Sequence, residues 1–349
     1  MKQMKQNLSL IIFAILLVSF GIVKSQTVSP SYKISNKIKI EGDGGWDYLV
    51  SDDATGRLYV SHGTVVQVVN EADGKLIGVI PDTKGVHGIA LAKDLNKGFI
   101  SNGKDTTVTI FDLKNLAVIT KIKVTGRNPD AILYDQFSHK VFVYNGRTSN
   151  ATVIDANTNT VVATIDLIGK PEFSVTDEKG KVYVNIEDKS KICVINSTTL
   201  KVEQTWSVAP GEEPSGLALD NKNHRLFIVC NNKLMVIMDA ENGKIITSLP
   251  IGAGVDGAAF DAKKERVYSS NGEGTLTVVQ GKNGADYKVL ENFTTLRGAR
   301  TIALNQMTQH LYLPTAEMGA APEPTKENPK PRPIMKLGSF IIIDVEPLN

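Results

Sequence analysis

Residues 87–124 read HGIALAKDLNKGFISNGKDTTVTIFDLKNLAVITKIKV, and the plan of the chain is contained in them. His87 to Leu91 is short and apolar, suited to a buried inner strand, and Asp94 to Lys97 turns the chain. Gly98 to Ser101 forms a second strand, followed by the turn cluster Asn102-Gly103-Lys104-Asp105. Thr107 to Phe111 is a β-branched third strand, and Asp112 to Asn115 turns again. In Ala117 to Val124, Lys121 and Lys123 alternate with Ile122 and Val124, as a half-solvated outer strand requires.

This unit recurs. The aromatic residue of its second strand returns at Tyr59, Phe99, Phe142, Tyr183, Phe227, Tyr268 and Tyr312, in steps of 40 to 44 residues. An acid or amide after an apolar run returns in phase at Asn70, Asp112, Asp155, Asn196, Asp239, Gln280 and Asp344. A repeat of this length built only of strands is the signature of a propeller blade. The sequence therefore predicts an all-β chain folded as a seven-bladed β-propeller over residues 26–349.

The last repeat lacks a fourth strand, since only five residues follow Asp344. Ile34 to Ile40 (ISNKIKI) resembles the outer strand Ile119 to Val124 (ITKIKV) and is expected to complete blade seven, joining both ends of the chain and hiding two strand edges. Blade seven also carries an insert of about 20 residues between its second and third strands, placed at residues 314–338. It contains Pro314, Pro322, Pro324, Pro329, Pro331 and Pro333, and reads either as a plain loop or as a lid or docking arm.

Residues 1–25 have the form of a secretory signal: Lys2 and Lys5, an apolar run from Leu8 to Val23, and Val23-Lys24-Ser25 before Gln26. The alternative is an uncleaved anchor, for which the run is slightly short. Cleavage leaves 36 Lys and Arg against 37 Asp and Glu, a net charge of −1 in place of +2, and no membrane span. A near-neutral body with 6% aromatics argues against nucleic acid as a partner. Cys193 and Cys230 occupy different strand positions and are expected to be buried free thiols.

In a propeller, the loop entering the first strand and the loop leaving the second share a face. Twelve residues before each aromatic stand Asp47, His87, Asp130, Pro171, Ser215, Asp256 and Arg300, expected to ring the channel mouth. His62, Asn102, Asn145, Asn185, Asn231, Asn271 and Thr315 follow the second strands on the same face, with Glu172 in an entry loop. Converging ionisable groups make this rim the candidate ligand site, although solvated channel mouths are also polar for no other reason. His87 and His62 with Asp47 and Asp130 are competent for a divalent metal; no other cofactor is expected. A His–Asp pair could equally serve as a general base. Ser215 lies in Pro214-Ser215-Gly216-Leu217 and not in a nucleophile elbow. Trp46 either stacks a ligand or wedges between blades. Gly88, Gly216 and Gly257 are read as close-approach positions, and there is no Walker or dinucleotide fingerprint.

The runs DGKLIGVI, NATVIDANTNTVVATI and RLFIVCNNKLMVIMDAENGKII resemble the YVTN repeat of YncE-like extracytoplasmic propellers, from about residue 32 onward. The stretches GDGGWDYL, KVTGRNPDAILYD and PGEEPSGLALD are similar to an exported subgroup of that family. The resemblance implies a periplasmic or secreted propeller that binds a small molecule or an extracytoplasmic protein without catalysis. It also keeps open a lactonase-like hydrolase, a metal- or quinone-linked oxidoreductase component, and single-stranded nucleic acid binding. It carries over no catalytic motif.

Overall fold

The computed structural model describes residues 31–326, 328, 329, 331 and 333–348. The expected signal segment 1–25 lies outside the described residues.

Seven four-stranded antiparallel sheets form the blades of a propeller. Blade two comprises Val86–Ala92, Lys97–Asn102, Thr107–Asp112 and Val118–Lys123, innermost strand first. Its second and third strands are buried almost throughout, because neighbouring blades cover both of their faces, while the outer strand is largely exposed. That explains why the middle strands read as continuous apolar runs.

The core lies between blades. Seven apolar clusters each draw on two adjacent blades, and the one between blades three and four also takes in Tyr48 of blade one; another joins Tyr59, Val68 and Ile80 to Ile89, Ile100 and Phe111. All seven marker aromatics are buried to 2% exposure or less, which places them within these seams. The second marker has a separate cause. Asn70, Asp112, Asp155, Asn196 and Asp239 each accept a hydrogen bond from the backbone N–H two residues on, closing the turn into the outer strand. Gln280 departs from this and instead donates to the carbonyls of Lys264 and Gly281.

Blade seven is assembled from both ends of the chain. Tyr32–Lys39 pairs antiparallel with Ile341–Pro347, from Tyr32 opposite Pro347 to Lys39 opposite Ile341. Ile38 and Ile40 then join Phe340, Tyr312 and Leu58 in the seam with blade one. Pro314 belongs to the second strand, Leu311–Thr315, so the insert proper begins after Thr315. Proline is accommodated there because the inner strand of this blade is reduced to Ala303–Leu304, which asks for no donor at Pro314. The base of the insert is a short ladder: Gly319 N–H donates to Ile334 O over 2.7 Å, and Lys336 N–H to Glu317 O over 2.8 Å.

Cys193 and Cys230 are buried free thiols, as expected. No helix among the described residues is long and apolar enough to cross a membrane.

Candidate functional site

The inner strands begin at the channel mouth, and in blades three, five and seven the first residues are held by the blade before. Ser101 donates to Asp130 O, Asn185 Nδ2 to Ser215 O over 2.7 Å, and Ser270 Oγ to Arg300 O over 2.5 Å. These braces stand two residues after the marker aromatic, so the register that buries the aromatic also fixes the rim. The glycines beside the rim residues allow the approach. A Cβ on Gly88 would meet Asp130 O at 2.9 Å, and one on Gly216 would meet Gly257 Cα at 2.9 Å.

The rim residues form one connected cluster. His87 Nδ1 lies 2.7 Å from Asp47 Oδ2 and 3.6 Å from Asp130 Oδ1. Arg300 Nη2 lies 3.4 Å from Asp47 Oδ1, and its Nη1 donates to Asp256 Oδ2. Ser215 Oγ donates to Asp256 Oδ1 over 2.5 Å. At blade four, Pro171 holds the rim position and the neighbouring Glu172 supplies the acidic group, 2.6 Å from Lys170 Nζ. Lys170 also pairs with Glu187. Six of the seven rim positions thus carry polar groups, and Glu172 fills in for the seventh.

Tyr48 was not legible as a site residue. It follows Asp47 and reaches from blade one to Phe173 of blade four, with ring centroids 5.4 Å apart. It packs in the same apolar cluster as Ala131, Val184 and Ile186. The pair closes the channel and turns its mouth into a cup. Beyond the pair, toward the other face, Val50, Ile89, Ile132, Val175 and Leu219 help line a cavity of about 440 Å³. The signal for Tyr48 lies in its register: the equivalent positions in the other blades are Gly88, Ala131, Glu172, Gly216, Gly257 and Thr301. It is the one aromatic where every other blade has a small or acidic residue.

Burial and like charge shape the electrostatics of the cup. Burial, followed by Asp47 and Asp256, pushes the Asp130 carboxyl up to about 6 against the pull of His87. Burial and then Asp130 push Glu172 up to about 8, although Lys170 opposes them. Asp256 is raised by burial, with Arg300 pulling the other way. Burial works against the charged form of His87, but the Asp47 hydrogen bond and the Asp130 charge outweigh it and raise its pKa. The Tyr48 phenol is held far above its ordinary value by burial and by Asp256, Asp47, Asp130 and Glu172.

The structure brings Asp47, His87, Asp130, Ser215, Asp256, Arg300 and Glu172 into this cup and places three expected site residues elsewhere. His62 is 2% exposed, bonded through Nδ1 to Gln67 Oε1 at 2.9 Å and lying against Phe340 with ring centroids 4.4 Å apart. It braces the turn into the third strand and stands outside the Asp47, His87 and Asp130 group. Asn145 is fully buried and does the same for its blade, donating to Asn150 Oδ1 over 2.8 Å and Thr152 Oγ1 over 3.0 Å. Trp46 stacks on Phe340 with centroids 5.2 Å apart, in the seam between blades seven and one. The position three residues after the aromatic points into the blade, which accounts for His62 and Asn145. The opposite face holds His139 and His310; the latter is bound to Asp344 at 2.8 Å.

No protein-family model matches the chain, and no curated protein matches it. Its fold is similar to that of solved propellers. A chain of the hydrazine synthase of Kuenenia stuttgartiensis aligns with a TM-score of 0.69 at 15% identity, covering 78% of this chain and 94% of that one. A chain of a mitotic checkpoint complex aligns with a TM-score of 0.70 at 11% identity, covering 88% of this chain and 96% of that one. At these identities the likeness establishes the propeller fold alone.

Proposed function

We propose that this is an exported, non-catalytic propeller of the YVTN-repeat kind that binds a small cationic ligand in the axial cup, on the face that bears the insert. Export and the narrower family likeness rest on the N-terminal segment and the repeat wording. The observation that carries the ligand class is the charge of the cup. Asp47, Asp130, Asp256 and Glu187 converge there beside Glu172, which keeps its proton below about pH 8, against Arg300, Lys170 and His87. Such an excess of acid in a concave, half-desolvated opening attracts positive charge and repels phosphate, which also speaks against nucleic acid.

The geometry favours binding over hydrolysis. Ser215 Oγ donates its hydrogen bond to Asp256, and the partners of His87 are Asp47 and Asp130. In a Ser-His-Asp triad the serine takes the histidine as its partner, and here the two belong to separate pairs.

Thermal unfolding with a panel of small organic ammonium compounds and divalent chlorides tests this reading. A ligand at about 100 times its Kd stabilises by about 2.7 kcal/mol, or roughly 4 °C for a chain of this size. We expect at least one panel member to give such a shift in the wild type and less than about a quarter of it in Asp256→Asn. No shift across the panel, or equal shifts in both proteins, would contradict the reading.

A further inference from the structure

We propose that the Asp47, His87 and Asp130 corner of the cup binds one first-row divalent cation of the zinc class, through Asp47 Oδ2, His87 Nδ1 and Asp130 Oδ1. The proposal rests on the reading of the cup as a ligand seat and names the ion that one corner of it takes. The three ligand atoms lie within 4.8 Å of one another. Two donors about 2.0–2.1 Å from a tetrahedral ion stand about 3.3 Å apart. The His87 Nδ1 distances of 2.7 Å to Asp47 and 3.6 Å to Asp130 bracket that value, so small rotamer changes suffice.

An ion would replace the proton that His87 Nδ1 and Asp47 Oδ2 share over 2.7 Å, and the groups behind the ligands leave these atoms facing the corner. Arg300 faces Asp47 Oδ1 at 3.4 Å, which leaves Oδ2 turned to the corner. Asp47 N–H is bonded to Ser61 Oγ at 3.0 Å, and Ser101 holds the main chain of Asp130. The His87 ring has room because residue 103 is glycine; a Cβ there would meet His87 Nε2 at 2.7 Å. The ligands therefore come from three blades, with their main chains fixed by the rim braces and the packing around them.

One polar group at the corner lacks a hydrogen-bond partner among the described residues. The Asp130 carboxylate accepts no hydrogen bond from any described residue, and its nearest cationic neighbour is His87 at 3.6 Å. A bound ion would neutralise the two aspartates and give the Asp130 carboxylate a partner. The imidazole selects the class: calcium and magnesium prefer all-oxygen sites, whereas zinc and its neighbours take nitrogen readily.

Calorimetric titration of the chelator-stripped full chain with zinc chloride, in excess magnesium chloride, tests the proposal. We expect one equivalent of zinc to bind, with affinity reduced at least about tenfold in Asp130→Asn and in His87→Gln. His139→Gln and His310→Gln, on the opposite face, should stay within about twofold of the wild type. Asp130→Asn keeps the shape of the side chain and serves if His87→Gln fails to fold. Absence of a one-equivalent site, or a site that survives the rim substitutions or is lost with His310, overturns the proposal. If zinc fails while an organic ammonium ion still stabilises the wild type in an Asp256-dependent way, the metal assignment falls and the cup reading stands. If both fail, the cup reading falls too.

Discussion

Tyr48 separates structure from chemistry most sharply at the scale of single residues. Its ring forms the floor of the cup against Phe173, while its hydroxyl makes no hydrogen bond to a described residue and is held far above its ordinary pKa by burial and by the rim acids. Tyr48→Phe keeps the floor and should change stability by less than about 1 kcal/mol, since no protein hydrogen bond is lost. Tyr48→Ala removes the floor and should cost about 3–5 kcal/mol. Chemical denaturation of both variants checks this; equal losses would show that the hydroxyl has a structural partner. Glu172 provides a pH test. Its folded pKa is raised to about 8 from 4.5, so between these values the folded state holds a proton that the unfolded state has lost. Its contribution therefore falls as pH rises from about 4.5 to 8. Glu172→Gln lacks this titration, so its melting temperature relative to wild type should climb between pH 5 and pH 8; a relative fall would contradict the assignment. The rim aspartates, His87 and Arg300 were legible because a fixed count back from each aromatic reaches the same strand position. His62 and Asn145 were misplaced because a position just past the strand is ambiguous between the cup and the blade interior. Side-chain direction, set by the two-residue period of the strand, decides it.

Among the elements, the closing strand and the insert have opposite roles. Tyr32–Lys39 was legible because ISNKIKI repeats the pattern of an outer strand that blade seven lacks. Ile38 is 3% exposed in the last seam, so Ile38→Asp buries an unpaired carboxylate and loosens the only blade built from both chain ends. We expect a loss of at least about 3 kcal/mol and increased aggregation from the edge at Ile341–Pro347, followed by thermal unfolding with light scattering. A melting curve like that of the wild type would mean that the ring closes without this strand. The insert should be dispensable for folding. Because Gly319 and Ile334 are already joined by a hydrogen bond of 2.7 Å, replacing residues 320–333 with Asn-Gly makes a two-residue hairpin. The melting temperature should stay within about 2 °C of the wild type, and cation affinity at the cup within about twofold. Loss of cation binding in this variant would move the site from the cup to the insert. The sequence showed the insert's length and prolines but not its ladder, which arises from pairing across the gap and leaves no local pattern.

The whole molecule is a ring of seams. Each blade buries its middle strands against two neighbours, and the marker aromatics fill those seams, so the repeat was visible in the sequence before any contact was known. The same repetition brings one residue per blade to the axis, where the blades differ most in charge: Asp47, His87, Asp130, Pro171, Ser215, Asp256 and Arg300 occupy equivalent places. Uniform seams hold the fold, and the rim carries the distinct groups. The floor made by Tyr48 and Phe173 was hidden because it joins blades one and four across the axis, a contact that no period along the chain encodes. The central claim is that this acid-rich cup holds a small cation. Native mass spectrometry of the full chain, purified without chelator, tests it most directly. The account predicts a bound cationic mass on the wild type that is absent from Asp47→Asn/Asp256→Asn. A bare polypeptide mass on both proteins, or a bound mass that persists in the double variant, would contradict it.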